Sequence, residues 1–286
     1  MPQFLPHLTA DGSYTFYSET FGEHFHSQAG AYQEAQQTYV EATQLAQKAE
    51  RGRLCLLDIC YGLGYNTAAA LETIWRVNPR CQIVWVGLEL EIRVPQAAIA
   101  QGLISSWSDP IPEILTALAQ GQKISSDRLQ AELVIGDARR QICQLVQRQF
   151  QADAIFLDPF SPPRCPQMWS LEFLQQVVRC LSPDGRLATY SAAAAVRQAL
   201  LSTGLKLGEQ AVAGRRWPGT LASSEADNLA PLSQQAQEHL QTRAAVPYRD
   251  PLLTDSATVI QQRRRLEQAQ SALEPTRHWR QRWRKF

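Results

Sequence analysis

No stretch of this chain approaches the ~18 consecutive apolar residues that a membrane-spanning helix needs, and no basic-then-apolar order at the start marks a secretory leader. A membrane role is therefore not expected. The six cysteines (Cys55, Cys60, Cys81, Cys143, Cys165 and Cys180) form no C-x-x-C pair, so zinc knuckles and dithiol redox chemistry have no sequence support. Several lie in apolar runs, as reduced packing residues of a cytoplasmic protein do. His24 and His26 stand two apart without further ligands nearby, so no metal is expected. Net charge is also scarce, at +1 over 286 residues. It is unevenly spread: residues 241–286 carry ten Lys+Arg against four Asp+Glu, leaving 18 basic and 23 acidic groups in the first 240. A basic tail of this kind suits either a polyanionic partner or simple solvation.

What is present begins with Leu54 to Thr67. The apolar run LCLLDI reads as a buried parallel strand, Gly62-Leu63-Gly64 as a tight turn, and Thr67 to Trp75 as a helix. In doubly wound sheets this first strand-to-helix turn receives adenosine-bearing cofactors. The dinucleotide fingerprint fails, because Thr67 occupies the place of its third glycine. Asp58, just before the turn, would repel a pyrophosphate but would attract a sulfonium and an amino group. These residues favour S-adenosylmethionine over NAD.

Later strand ends add to this. Gln82 to Leu90 is a second apolar strand, and Glu89 at its end suits a ribose diol, to which a carboxylate offers two acceptors. Residues 92–130 hold a helix and a Ser- and Pro-punctuated insertion. Glu132 to Ile135 forms a third strand closing on Gly136-Asp137, where Asp137 serves either an adenine amino group or the cap of the next helix. The fourth strand, Asp153 to Leu157, ends in Asp158-Pro159-Phe160-Ser161-Pro162. Asp158 should face the reacting centre, where a carboxylate can orient and deprotonate a nitrogen nucleophile. Phe160 offers a surface for a base or amine. This loop resembles the Asp/Asn-Pro-Pro-Tyr/Phe loop of nitrogen methyltransferases.

Helices over Leu171–Leu181 and Ala192–Leu201 and strands over Arg186–Ser191 and Lys206–Ala213 complete the alternation. The expected fold is α/β, a Rossmann-like seven-stranded class I methyltransferase domain over residues 51–223. An N-terminal extension (1–50) precedes it and a basic, partly helical tail (224–286) follows. In the extension, Tyr14 to Tyr17 reads as a hairpin strand and Gln33 to Glu50 as a helix, with Glu34 in its first turns directed at the cofactor. Gly214 to Thr220 reads as a basic loop carrying Arg215, Arg216 and Trp217. The last ten residues interleave Arg and Trp, a pattern that serves phosphate pairing and base stacking or packing onto the body.

Taken in order, several blocks resemble one family. They are Asp11-Gly12-Ser13, Gly22-Glu23, Gly30-Ala31-x-x-Glu34, Asp58 to Asn66, Gly136 to Arg139, Asp158-x-Phe160-Ser161-Pro162 through Met168-Trp169, and Ala188 to Ala193 with Val196-Arg197. Over residues 11–223 the sequence is similar to the MnmC-type tRNA 5-methylaminomethyl-2-thiouridine methyltransferases. The resemblance implies methyl transfer from S-adenosylmethionine to the 5-aminomethyl nitrogen of the wobble uridine in a tRNA anticodon stem-loop. It implies that Asp158 activates the amine, that Glu34, Asp58, Gly62, Gly64, Asn66, Glu89 and Asp137 bind the cofactor, and that Phe160, Arg197, Arg215 and Arg216 bind the acceptor. It also implies the standalone form, since 286 residues leave no room for the flavin oxidase fused to it in many bacteria. Pro159 departs from the Gly usual in the fused enzymes. Methylation of another nitrogen, in RNA or protein, is the alternative, with a non-catalytic RNA-binding relative behind it.

Overall fold

The computed structural model describes residues 4–212, 214–225 and 228–283. Three short strands open the chain, β1 (Pro6–Leu8), β2 (Tyr14–Ser18) and β3 (Glu23–His24), paired antiparallel as a small sheet. The main sheet takes β4 (Arg53–Ile59), β5 (Gln82–Glu89), β6 (Lys123–Ser125), β7 (Leu129–Ile135), β8 (Ala152–Leu157), β9 (Leu181–Thr189), β10 (Lys206–Gln210) and β11 (Gly219–Ser223). Their spatial order is β10-β11-β9-β8-β4-β5-β7-β6. The run from β7 to β9 is parallel, while β11 lies antiparallel to both neighbours and β6 is an antiparallel edge. The fold is thus the expected Rossmann-like one.

Two strands differ from expectation. β6 falls in the stretch read as a punctuated insertion, and β11 in the segment read as a basic loop. β11 inserts between β9 and β10 and is buried along its length, so its pairing is set by distant strands rather than by its own five residues. β10 stops at Gln210, and Ala213, where it was expected to end, lies outside the described residues. The helix expected over Leu171–Leu181 ends at Arg179, and Ser182-Pro183-Asp184-Gly185 runs within β9, where the register against β8 shifts.

The residue period of two divides β4 between two cores. Leu54 and Leu56 face one apolar cluster, and Leu57 and Ile59 the other. Asp58 shares the face of Leu54 and Leu56, beneath the helix Tyr65–Val77. From β4 the chain crosses to β5 on one side and later to β8 on the other. The carboxyl ends of β4 and β8 therefore flank a topological switch point, where such sheets bind ligands.

The extension folds onto this body. After the short helix Ala31–Glu34, residues Ala35–Glu41 wind as a π-helix, a rare form that concentrates at functional sites. It turns Tyr39 fully inward, 5.6 Å from the Phe156 ring. The C-terminal helices Gln234–Leu240, Ala257–Gln270 and Thr276–Trp283 pack on the opposite flank. Among the described residues no helix is long and apolar enough to cross a membrane.

Candidate active site

Gly62 and Gly64 adopt φ of +58° and +90°, left-handed values at which a side chain is strained. The turn they make leads straight into the helix Tyr65–Val77. Glu89 fixes it from the neighbouring strand end, accepting the Gly62 amide at 2.9 Å and the Glu91 amide at 2.9 Å. Each carboxylate oxygen keeps a further lone pair. Asp58 is fully buried and accepts the Thr67 hydroxyl at 2.7 Å through Oδ2, but its Oδ1 has no partner. Burial pushes its pKa up to about 8, Thr67 pulling against it and the charges of Asp158 and Glu89 adding to it.

Asp158 stands at the end of β8, across the switch point. Its amide donates to the Ile59 carbonyl at 3.1 Å, and its Oδ2 accepts the Asn66 amide nitrogen at 2.9 Å. Asn66 Oδ1 is buried without a partner. Burial raises the Asp158 pKa, against the pull of Tyr39, Asn66 and Arg215. The Tyr39 hydroxyl lies beside this carboxylate without ordinary hydrogen-bond geometry. Two unsatisfied buried acceptors, Asp58 Oδ1 and Asn66 Oδ1, are costly unless a ligand donor meets them. A cationic, hydrogen-bond-donating cofactor fits that requirement, and S-adenosylmethionine is one.

Beyond Asp158 opens a cavity of about 340 Å³. Its floor is Asp158, Pro159 and Phe160, and one wall is Tyr190, whose hydroxyl donates to the Pro159 carbonyl at 2.7 Å. The opposite wall comes from the extension. Glu23 accepts the Ser161 amide at 2.9 Å and also the Ser161 hydroxyl. Phe160 stacks on Phe21 at 4.4 Å and meets Phe25 edge-on at 5.0 Å, while Trp169 holds its carbonyl at 2.8 Å. His26 is buried against Thr15, and burial lowers its pKa to about 4. His24 is packed between the rings of His7 and Tyr17.

Several expected site residues sit elsewhere. Glu34, expected on the cofactor side, lines the cavity with Asp158. Asp137 has two roles open to it from sequence, and the structure displays the cap: it accepts the Arg139 amide at 3.0 Å and pairs with the Arg139 guanidinium at 2.7 Å. That guanidinium also holds buried Asp250 at 2.8 Å, so the Asp137 carboxylate is committed to a structural pair. Arg197 does not reach the site. Its guanidinium is enclosed, bonding Thr220, Glu209 and the carbonyls of Pro218 and Gly219, and so clamps β11 rather than binding an acceptor. Arg216 is on the surface over Trp217.

Arg215 does enter the cavity wall, 4.1 Å over the Tyr190 ring and 3.8 Å from Glu34. Gly214 allows this approach: its φ is +66°, and a Cβ there would lie 2.3 Å from the Ala29 Cβ. The terminal aromatics pack inward. Trp279 stacks on His239 at 3.9 Å and donates to the Gln235 carbonyl, Trp283 donates to Glu238, and Arg282 pairs with Glu238 and Glu274. Arg284, Lys285 and Phe286, expected in the basic tail, lie outside the described residues. Glu23, Tyr39 and Tyr190 escaped the sequence reading. Of these Glu23 and Tyr190 carried a signal, their places in the Gly22-Glu23 and Ala188–Ala193 blocks.

Known proteins share the fold and much of the sequence of this chain. Residues 99–225 match a family described as S-adenosyl-L-methionine-dependent methyltransferase. The crystal structure of MnmC2 from Aquifex aeolicus superposes with a TM-score of 0.82 at 32% identity, covering 95% of this chain and 87% of that one. The chain is 32% identical over 215 residues to the tRNA 5-methylaminomethyl-2-thiouridine biosynthesis bifunctional protein MnmC of Methylibium petroleiphilum, covering 71% of this chain and 32% of that protein. It is also 28% identical over 242 residues to the protein of the same name from Cupriavidus necator. The chain spans about a third of the length of these bifunctional relatives.

Proposed function

The chain belongs to the MnmC2 family of S-adenosylmethionine-dependent methyltransferases, and from that premise we propose that it methylates the 5-aminomethyl nitrogen of the wobble uridine in tRNA. The observation that carries this acceptor is the cavity at Asp158: it is lined by aromatic rings and carboxylates, and Asp158 is tied through Asn66 to the helix that follows the glycine turn. A primary alkylamine is mostly protonated at neutral pH and must lose a proton before it can attack. Buried carboxylates attract the ammonium and accept that proton. Aromatic rings around them suit a base turned out of its stack into a pocket.

Asp58, Gly62, Gly64, Asn66 and Glu89 would hold the cofactor, with Asp137 one strand away. When bound, S-adenosylmethionine supplies a methyl group activated by a sulfonium. Asn66, tied to Asp158 Oδ2, fixes the carboxylate so that Oδ1 is left for the nitrogen. The Phe21 ring, stacked, and the Phe25 ring, edge-on, hold Phe160, against which the pyrimidine rests. Positioning a lone pair in line with the methyl is the larger part of such catalysis.

The test offers labelled S-adenosylmethionine together with tRNA bearing 5-aminomethyluridine, beside the same tRNA lacking that group. Label is expected only in the first. Labelling of both, or of an RNA or protein nitrogen elsewhere, would reassign the acceptor.

A further inference from the structure

Glu34 is an unusual residue to find where it is. It lies in the extension, before the methyltransferase sheet begins, yet it is almost wholly enclosed and lines the same cavity as Asp158. Its Oε2 accepts the Ser27 amide at 2.8 Å. Its Oε1 meets the Arg215 guanidinium at 3.8 Å, longer than a hydrogen bond. Glu34 is thus held by one backbone amide and one long ion pair, at the edge of a pocket that it shares with Asp158. The charges around it come from every side: Asp158 from the end of β8, Tyr190 from beyond β9, Arg215 from its loop, Tyr39 from the adjoining π-helix, and Glu23 and His26 from the hairpin region. Arg215 is the cation among them, and it is already stacked on Tyr190. The pocket is therefore built to receive a positive group between a ring and two carboxylates.

We propose that Glu34 is a second acceptor-site carboxylate, which with Asp158 brackets the acceptor's ammonium and takes up the proton it must lose. The inference rests on the amine acceptor proposed above. In the balanced step, the alkylammonium gives one proton to the carboxylate pair. The freed lone pair forms the N–C bond as the S–C bond of the sulfonium breaks, leaving a secondary ammonium and a neutral thioether. The proton then passes from the pair to solvent on the half-exposed Arg215 side. Burial and the neighbouring Asp158 charge push the Glu34 pKa up to about 7, against Ser27 and Arg215, so the empty pair readily keeps one proton between two carboxylates.

Glu34→Gln tests this with tRNA bearing 5-aminomethyluridine. S-adenosylmethionine affinity, read by equilibrium binding, should stay within ~2-fold, while kcat/KM for the tRNA should fall ~10-fold or more at neutral pH. The acid limb of the wild-type kcat/KM profile near pH 7 should move away from that value in the variant, where Asp158 alone sets it. Glu34→Asp, which keeps the charge, should recover part of the loss. Weakened cofactor binding with an unaltered acceptor profile would return Glu34 to the cofactor side and overturn the proposal, as would an unchanged acid limb. A second measurement needs no variant. Calorimetry in buffers of different ionisation heat, without cofactor, should show that the aminomethyl tRNA releases about one proton more at pH 7 than the tRNA lacking the group. No difference would overturn the proposal. Wild-type enzyme that fails to methylate this tRNA overturns the acceptor assignment itself and this inference with it. Wild-type activity with a Glu34→Gln variant indistinguishable from it overturns this inference alone.

Discussion

Asn66 donates to Asp158 across 2.9 Å, joining the helix that follows the glycine turn to the strand end that faces the acceptor cavity. One hydrogen bond thus spans the two halves of the site. Asp158→Ala should leave S-adenosylmethionine affinity nearly intact while methyl transfer falls by roughly 10²-fold or more. Asn66→Ala removes a donor that holds the Asp158 pKa down. Its acid limb of kcat/KM should move to higher pH. A pH–rate profile of each variant, with cofactor affinity measured separately, checks both.

Asp58 makes stability depend on pH. Its ordinary pKa is 3.8 and burial raises it to about 8 in the folded chain. Between these values the folded protein holds a proton that the unfolded one has released. Stability of the cofactor-free protein should therefore be fullest below about pH 4 as far as this group is concerned, and decline as pH rises toward about 8. Glu34, raised to about 7, acts in the same direction. Thermal melts across this range should show the decline, and Asp58→Asn should flatten it. A slope unchanged in the variant would locate the effect in other groups.

Two arginines expected to act alike should separate. Arg197→Ala strands Glu209 and Thr220 in a nearly closed site, and loss of one partner of such a pair costs about 3–5 kcal/mol. Arg215 is 41% exposed, so Arg215→Ala should leave the melting temperature almost unmoved and instead raise KM for the tRNA. Equal destabilisation by both would count against this division.

The tail should behave as packing. Trp279→Ala removes the stack on His239 and the bond to Gln235, and should lower thermal stability with the salt dependence of tRNA binding unchanged. A shallower slope of log affinity against log salt would instead show phosphate contacts made through this helix.

Much of the cofactor half was legible because its signals are local. An apolar strand, a Gly-x-Gly turn and a carboxylate near a strand end are each read within a few residues, and the structure brings Asp58, Glu89 and Asp158 to the carboxyl ends of β4, β5 and β8. The acceptor half depends on pairs far apart in the chain, such as Glu23 with Ser161 and Arg215 with Tyr190, for which no spacing rule exists. Arg197 misled because a helix pattern does not say which way a cation points. Its neighbours Ala194, Ala195, Val196, Ala199 and Leu200 are all buried, and so apolar a helix was the available hint of an enclosed arginine. β11 was hidden by Pro218 and Gly219, which read as a turn, and by its short length. Arg and Trp interleaved in the tail fit stacking on bases as well as stacking on His239, and only packing partners distinguish the two.

The latch between Glu23 and the Ser161 loop joins residues 138 positions apart, and the Arg215 wall is supplied later still. On a ribosome, the segment carrying Glu23 and Glu34 emerges first, yet it has nothing to close against until β8 has been made. The strands around the glycine turn are complete well before that wall. The cavity at Asp158 is therefore finished last in synthesis, after the strands around the glycine turn, and a chain interrupted before Arg215 lacks one of its lining residues.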